Sequence, residues 1–261
     1  MLRSTLIALA LLCPLAAKAG QTCSETVPAP DAVRKALTLG LQTRQALDQA
    51  APEVALIARA GQDLRKWNLR YSHFGFVWRD HPRGRWIVVH QLNHCGHAES
   101  NLFNEGLANF FLDDPFRYEA LILVPGAASQ HRLARMLAGP APLRFHQRHY
   151  NMLAYPFSTQ YQNSNQWALE LIAAATARDV TIADRTQAQA WLKAAGYQPH
   201  TAEIDAFTRL GARMSRANIA FDDHPFDRRM AGQIDTVTVE SVYRFIAHRE
   251  PDHRTIRVAL E

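Results

Sequence analysis

The sequence predicts an α+β protein in which a mainly antiparallel sheet packs against helices. The strand signal is a β-hairpin: Phe74, Phe76 and Trp78 alternate with small or polar residues, as on a half-buried strand. Turn-forming residues at 80–84 and an apolar segment at 86–90 follow, which is the pattern of a returning strand.

Helical spacing of apolar residues predicts the elements around this hairpin. Two helices are expected within residues 30–67, because Pro52 suits the first turn of a second helix. Further helices are expected at 100–111, 130–137, 166–177, 185–195 and 203–214. Further strands are expected at 118–124, 219–221, 236–246 and 255–260. Residues 140–161 are predicted to be irregular.

The first residues of the chain have the pattern of an export signal. Arg3 supplies the positive region, residues 6–15 form an apolar core that is too short to span a bilayer, and Ala17-Lys18-Ala19 matches a cleavage site. We therefore expect a periplasmic protein that is cleaved after Ala19 and forms one domain over residues 20–261. No later run is apolar over the roughly 18 residues that a membrane helix needs, so no membrane span is expected.

Charge and composition exclude some classes of partner and cofactor. The formal charge of the full chain is +5, and loss of Arg3 and Lys18 with the signal leaves a mildly basic protein. Because basic and acidic residues are interspersed, nothing predicts a nucleic-acid groove. The spacing in His94-Cys95-Gly96-His97 matches no established zinc pattern, so we expect no metal and no cofactor.

Two cysteines, Cys23 and Cys95, remain after the signal. An even pair in an oxidising compartment predicts a disulfide, which would tie the N-terminal segment to the domain. The competing interpretation is that Cys95 is a nucleophile, but Cys23 would then have no role.

His73 is the first candidate catalytic residue. Strand alternation places His73 and Gly75 on one face, opposite Phe74 and Phe76, and a glycine lets another group approach that face closely. His90 or Gln91 on the returning strand could hydrogen-bond the second ring nitrogen of His73 and fix its tautomer. The competing interpretation of His73 is a purely structural histidine.

Ser164 is the second candidate. It precedes a strongly helical segment, where serine commonly serves as the N-cap. Asn163 and Gln166 also have the spacing of a capping box. If Asn163 is the cap, Ser164 occupies the first helical position, where the helix dipole and free N–H groups favour a negative oxygen. The sequence alone leaves both possibilities open.

The loop 222–227, Asp-Asp-His-Pro-Phe-Asp, is acidic and contains a histidine. It is first interpreted as a turn stiffened by proline and capped by aspartate. A metal-binding or substrate-binding role is the alternative, and Arg228 and Arg229 could instead pair with these acids.

Two resemblances to known families rest on these segments. The stretch Phe103-Asn104-Glu105-Gly106-Leu107, continuing to Phe116, resembles an exported bacterial family known as a domain of unknown function, number 2145, over nearly the whole mature chain. Tyr71-Ser72-His73-Phe74-Gly75-Phe76 resembles the histidine strand of the permuted NlpC-type branch of the papain-like superfamily. Asn163-Ser164-Asn165-Gln166-Trp167 resembles the late "Asn-Cys" helix start of that branch.

The second resemblance implies a permuted papain-like core in which the histidine hairpin faces the Ser164 helix. It implies His73 as the base, His90 or Gln91 as its orienter, and Ser164 at the nucleophile position. The sequence departs from the family there, because serine replaces the cysteine whose thiolate such enzymes use.

Two functions follow from these expectations. The first is a Ser/His hydrolase that acts on an amide or ester of a cell-envelope component. The second is a catalytically silent domain that binds an envelope ligand, such as a cell-wall peptide or an acyl lipid.

Overall fold

The computed structural model describes residues 27–113 and 115–260. The predicted export signal and Cys23 lie outside these residues. Signal cleavage and the disulfide between Cys23 and Cys95 therefore stay predictions.

A six-stranded, fully antiparallel sheet organises the described chain, as the sequence predicted. In spatial order its strands are β4 (Ser100–Gly106), β3 (Gly84–Asn93), β2 (His73–His81), β1 (Val54–Ala60), β5 (Arg117–Val124) and β8 (Arg254–Ala259). The predicted hairpin is present as β2 and β3, which pair with Phe76 opposite Val89.

Helices cover both faces of this sheet. On one face α1 (Pro30–Ala50) and the short α2 (Leu107–Leu112) bury an apolar cluster that includes Val77, Trp86 and Phe110. On the other face α3 (Ala127–Ala138), α5 (Ser164–Thr176) and α9 (Val239–Arg249) bury the larger cluster around Phe76 and Trp167. The other α-helices among the described residues are α4 (Ala141–Arg144), α6 (Arg185–Ala194), α7 (Ala206–Ser215) and α8 (Phe226–Met230).

The predicted second helix within residues 30–67 is wrong. Residues 54–60 form β1, a central strand that is buried along its whole length. A strand covered on both faces is apolar at nearly every position, so its sequence lacks the alternation that distinguishes a strand from a buried helix.

Two further predictions are corrected. Residues 100–106 form β4, and only Leu107–Leu112 are helical. Residues 239–249 form α9 rather than a strand, because Val242, Phe245 and Ile246 recur at helical spacing on the buried side. Thr238 caps this helix through a reciprocal hydrogen-bond pair with Ser241. This capping box marks the start of a helix within a segment whose apolar content predicts a strand.

A smaller unit lies outside the main sheet. Strands β6 (His200–Glu203) and β7 (Gln233–Thr236) pair with each other, and α7 and α8 lie in the chain between them. Residues 219–221, predicted as a strand, lie in the connection between α7 and α8 and contribute Ile219 and Phe221 to its small apolar cluster. Within the described residues no helix is long and apolar enough to cross a membrane.

Candidate active site

His73 is the first residue of β2, and its ring is held by a second histidine. Nε2 of His73 lies 2.9 Å from Nδ1 of His90 on β3. Nε2 of His90 in turn lies 3.2 Å from Oε2 of Glu105 on β4, although the angle is too poor for a well-aligned hydrogen bond. The three side chains form a line from the partly exposed Glu105 to the buried His73.

The carboxylate at the outer end of this line favours one set of histidine tautomers along it. The contact with His90 lowers the pKa of Glu105, which keeps its carboxylate ionised. An ionised carboxylate favours the His90 tautomer with its proton on Nε2, so that Nδ1 accepts the proton of His73 Nε2. Nδ1 of His73 is then left with a lone pair, which is the state that a general base requires.

Gly75 makes the contact between the two histidines possible. A Cβ atom at this position would lie 2.6 Å from Cβ of His90 and 2.8 Å from the carbonyl oxygen of Val89. Both distances are far below van der Waals contact, so any side chain here would displace His90. Gly75, which was predicted to allow close approach of another group, thus makes room for His90.

Replacing Gly75 with alanine is therefore expected to separate the two histidines. Overpacking of this kind costs about 1–3 kcal/mol of unfolding free energy. The measurement is urea unfolding together with the NMR chemical shifts of the imidazole nitrogens. The matched control is Gly211→Ala on α7, where a Cβ meets nothing within 4 Å. An unchanged imidazole spectrum in Gly75→Ala would show that the close contact is not needed.

Arg59 is a buried cation beside this line of residues. It lies directly opposite His73 in the β1–β2 pairing. Its guanidinium donates to the carbonyl of Phe110, forms an ion pair with Asp113 and lies 5.0 Å from the centre of the Phe110 ring. Burial lowers the pKa of His73 well below its usual range, and the positive charge of Arg59 lowers it further. His73 is therefore a neutral imidazole at neutral pH.

Asn163, and not Ser164, caps helix α5. The Asn163 side chain accepts a hydrogen bond of 2.8 Å from the Gln166 N–H. Its amide nitrogen donates to the Thr236 hydroxyl at 3.0 Å. Ser164 is consequently the first residue of the helix, and its hydroxyl is not needed for capping. The interpretation of Ser164 as the N-cap is wrong, because the longer asparagine side chain already occupies the Gln166 N–H.

Asn165 ties the start of α5 to the start of β2. Its side chain accepts a hydrogen bond of 3.2 Å from the Phe74 N–H and donates one of 3.3 Å to the Ser72 carbonyl. These two bonds lie on either side of His73 in the chain. The backbones of Ser164 and His73 are therefore held at the same end of the sheet.

The side chains of His73 and Ser164 approach this end from different sides. The His73 ring lies 5.9 Å from the Phe110 ring, on the α2 face, whereas Trp167 of α5 packs on Phe76 at 5.6 Å on the other face. The hairpin was expected to face the Ser164 helix. It does so through its aromatic face, which offers a large apolar area to bury against Trp167, and not through the face that carries His73.

No hydrogen bond joins Ser164 to His73 among the described residues, where the His73 ring bonds to His90. The Ser164 hydroxyl is instead in polar contact with the Tyr150 phenol. Burial raises the pKa of this phenol, and the contact with Ser164 lowers it in part.

Gln91 does not contact His73. It follows His90 in β3, so alternation directs it to the opposite face of the sheet. Its Nε2 donates to the Ser100 hydroxyl at 2.7 Å, and that hydroxyl lies 3.1 Å from Nε2 of His146. Of the two predicted partners of His73, the structure therefore selects His90.

One family model matches this chain, over residues 46–246, and its description is "Uncharacterized protein conserved in bacteria (DUF2145)". The chain belongs to this family. The predicted resemblance to it is therefore confirmed, and the match includes every residue of the candidate site. No curated protein and no solved structure matches the chain.

Sequence reasoning missed Glu105 and Arg59. Both lie in segments for which the sequence predicts helices, and a helix lacks the alternating faces of a strand. A charged residue within the apolar run 54–60 was the available signal for Arg59. For Glu105 the signal was alternation in residues 100–106, which places Phe103 and Glu105 on the same side as His90.

The polar side chains of loop 222–227 make their contacts within the small unit. Nδ1 of His224 lies 3.0 Å from Asp223, and its Nε2 lies 3.0 Å from the carbonyl oxygen of Asp235. Arg228 pairs with Asp235 rather than with the acids of the loop. Within residues 27–113 and 115–260, no group of three or more His, Cys, Asp or Glu could hold a metal ion. These contacts favour the structural interpretation of the loop.

Proposed function

We propose that this protein is a hydrolase with a permuted papain-like core, in which Ser164 is the nucleophile and His73 the general base. The line Glu105, His90 and His73 is the observation that carries the proposal. It directs a lone pair to Nδ1 of His73 in the way that the carboxylate of a catalytic triad orients its histidine.

The neutral state of His73 suits a serine nucleophile. A cysteine enzyme of the papain type uses a thiolate beside an imidazolium, which needs a histidine that is readily protonated. Burial and Arg59 disfavour the charged form of His73. A neutral imidazole takes the proton of a serine hydroxyl as the hydroxyl oxygen attacks a carbonyl, so the serine and the lowered pKa of the histidine are consistent with each other.

In the proposed reaction the Ser164 oxygen attacks the carbonyl carbon of an amide or ester, and its proton passes to Nδ1 of His73. The N–H groups of Ser164 and Asn165 precede the first intrahelical hydrogen bond and could bind the oxyanion. The histidine then protonates the leaving group, and water releases the acyl group from Ser164. Because the His73 ring lies on the α2 face of the sheet and α5 packs on the other face, this step requires the start of β2 and the start of α5 to shift until the Ser164 hydroxyl leaves Tyr150 and meets Nδ1 of His73.

The expected substrate is a component of the bacterial cell envelope, either a cell-wall peptide or an acyl lipid. This part of the proposal rests on the export signal predicted for residues 1–19. It implies that the protein acts in the periplasm.

Covalent labelling with a fluorophosphonate tests the proposal, because this reagent reacts with activated serine hydroxyls. We expect one label per chain, located by peptide mass spectrometry on Ser164. The matched control is Ser215→Ala at the exposed end of α7, which should label as the wild type does. Labelling of another serine, or no labelling of folded protein, would contradict the assignment.

The rate of this labelling is expected to depend on pH through His73. The base acts only when neutral, and its pKa lies below the ordinary value of about 6.5. The rate constant should therefore rise with pH and reach its plateau below about pH 6.5, where an ordinary histidine would still be titrating. A profile measured from pH 4.5 to 8 with a midpoint above 6.5 would contradict the neutral, buried base.

Acid unfolding has to be separated from this titration. A histidine whose folded-state pKa is depressed binds fewer protons in the folded than in the unfolded state. Its contribution to stability is complete above about pH 6.5 and is lost as the pH falls towards the folded-state pKa. Circular dichroism at each pH shows whether the labelling rate falls before the fold does.

A second candidate function is a catalytically silent domain that binds an envelope ligand. The observation that favours it is the contact of the Ser164 hydroxyl with Tyr150 in place of His73. It predicts no labelling by the fluorophosphonate, together with saturable binding of cell-wall fragments or acyl lipids in calorimetry. Hydrolysis that depends on Ser164 would reject it.

A further inference from the structure

His224 in loop 222–227 has an oxygen atom at each of its two ring nitrogens. Nδ1 lies 3.0 Å from a carboxylate oxygen of Asp223, and Nε2 lies 3.0 Å from the backbone carbonyl oxygen of Asp235 on β7. The side chains of His224 and Asp223 are both fully buried. The hydrogen-bond roles of these two oxygens therefore decide how many protons the two side chains carry.

These contacts require one proton more than an ionised aspartate and a neutral histidine hold together. A carboxylate and a backbone carbonyl only accept hydrogen bonds, whereas a neutral imidazole has one N–H and one lone pair. A neutral ring would therefore set its lone pair against an oxygen at 3.0 Å on one of its two sides. One additional proton satisfies both contacts, whether it belongs to the imidazole or to the Asp223 carboxyl group.

The charged and titratable groups around the His224 ring come from its own loop, α8, β7 and the segment before α5. The Asp235 carboxylate is neutralised by an ion pair with Arg228. The Tyr155 ring lies 5.4 Å from the His224 ring, and burial raises the pKa of the Tyr155 phenol, which is therefore neutral. The other groups have their own partners or are exposed: Asp222 accepts from Gln160 and Tyr161, Arg213 and Arg229 donate to backbone carbonyls, and Asp227 is exposed. The Asp223 carboxylate is thus the charge that faces the ring directly, and it favours the additional proton.

The same carboxylate joins the small unit to the chain segment that leads into α5. The second oxygen of Asp223 accepts a hydrogen bond of 2.8 Å from the Tyr155 N–H. Nearby, the Asn151 side chain exchanges hydrogen bonds of 3.0 and 3.1 Å with the backbone of Ala220. Loop 222–227 is therefore fixed to β7 through His224 and to the segment before α5 through Asp223.

We propose that the proton shared by Asp223 and His224 is a pH-sensitive lock that holds the small unit on the segment before α5. Loss of this proton sets a lone pair of the ring against an oxygen, so loop 222–227 opens. The open loop exposes a histidine with an ordinary pKa of about 6.5, which binds the proton only at lower pH. The lock is therefore complete below about pH 6.5 and weakens as the pH rises above this value. This proposal does not depend on the proposed hydrolase activity.

Native-state hydrogen exchange of the full chain, followed by mass spectrometry, tests the proposal. The measured quantity is the equilibrium constant for local opening of loop 222–227, after correction for the intrinsic pH dependence of exchange. Release of one proton raises this constant by up to about tenfold per pH unit. We expect a rise of at least about tenfold between about pH 6.5 and 8.5 in the wild type.

The variant Asp223→Asn should remove this pH dependence and keep the fold. Its amide nitrogen can donate to Nδ1 of a neutral His224 ring, and its amide oxygen can still accept from the Tyr155 N–H. Nε2 keeps its proton for the Asp235 carbonyl. Because every contact is satisfied without the additional proton, the opening constant should stay within about twofold over the same pH range.

Asp222→Asn in the same loop is the matched control. Its carboxylate accepts from Gln160 and Tyr161 and not from His224, so this variant should keep the pH dependence of the wild type. A wild-type opening constant that stays level over the pH range would overturn the proposal, and this measurement does not require any variant to fold. Full pH dependence in Asp223→Asn would also overturn it, since another group would then hold the proton.

Discussion

Replacement of Ser164 by alanine is expected to abolish hydrolysis with little effect on stability. Loss of an activated nucleophile lowers turnover by roughly a thousandfold or more. The unfolding free energy should change by less than about 1 kcal/mol, because the better helix propensity of alanine offsets the lost contact with Tyr150. The measurements are the rate of hydrolysis of a p-nitrophenyl ester and urea unfolding.

The neighbouring residue supplies a control with the opposite behaviour. Asn163→Ala removes the real helix cap and the bond to Thr236, so we expect a loss of about 2 kcal/mol in unfolding free energy. The hydroxyl and the base both remain in Asn163→Ala, so folded protein should retain measurable turnover. If Ser164→Ala loses stability while keeping its turnover, Ser164 has only a structural role.

The second large effect is expected at a buried ion pair that supports α5. Glu170 is fully buried, and its Oε2 lies 2.8 Å from Nε of Arg185. Gln162 and Gln189 donate to the same carboxylate at 2.6 and 2.8 Å. Arg185 also donates to the carbonyls of Thr159 and Tyr161. The pair thus joins α5 to α6 and to the irregular segment before α5.

Glu170→Ala is expected to lower the unfolding free energy by about 3–5 kcal/mol, because it leaves the Arg185 guanidinium buried without a counter-charge. The double variant Glu170→Leu, Arg185→Met should be less destabilised than Glu170→Ala, since it leaves no unpaired charge. The exposed pair of Glu99 and Arg148 is the matched control, and Glu99→Gln should cost less than about 1 kcal/mol. Equal losses from Glu170→Ala and Glu99→Gln would show that burial of the pair is unimportant.

The sequence predicted an element correctly wherever the periodicity of that element alone distinguishes a helix from a strand. The hairpin of β2 and β3 follows from alternation and turn residues, and α3 and α6 follow from helical spacing. The same alternation placed His73 and Gly75 on one face, which the structure has. These predictions succeed because the periodicity of a half-buried element is a local property.

The error at residues 54–60 has its physical origin in burial on both sides of the strand. Residues 54–60 are covered by helices on both faces of the sheet, which removes the alternation of a strand. The apolar content of residues 236–246 predicts a strand, whereas the cap at Thr238 marks the start of a helix. Where neighbours in space decide which side chains are buried, periodicity along the chain is ambiguous.

By itself the sequence determined the family, the α+β class, and the candidates His73, His90 and Ser164. Only the tertiary structure decided which candidates meet and in what state. Gln91 is excluded by the pleat of β3, and Asn163 takes the cap that Ser164 could have held. Burial, together with Arg59, keeps His73 neutral, and the contact with His90 keeps Glu105 ionised. The physical reason is that protonation and hydrogen-bond partners depend on burial and on charges from distant parts of the chain.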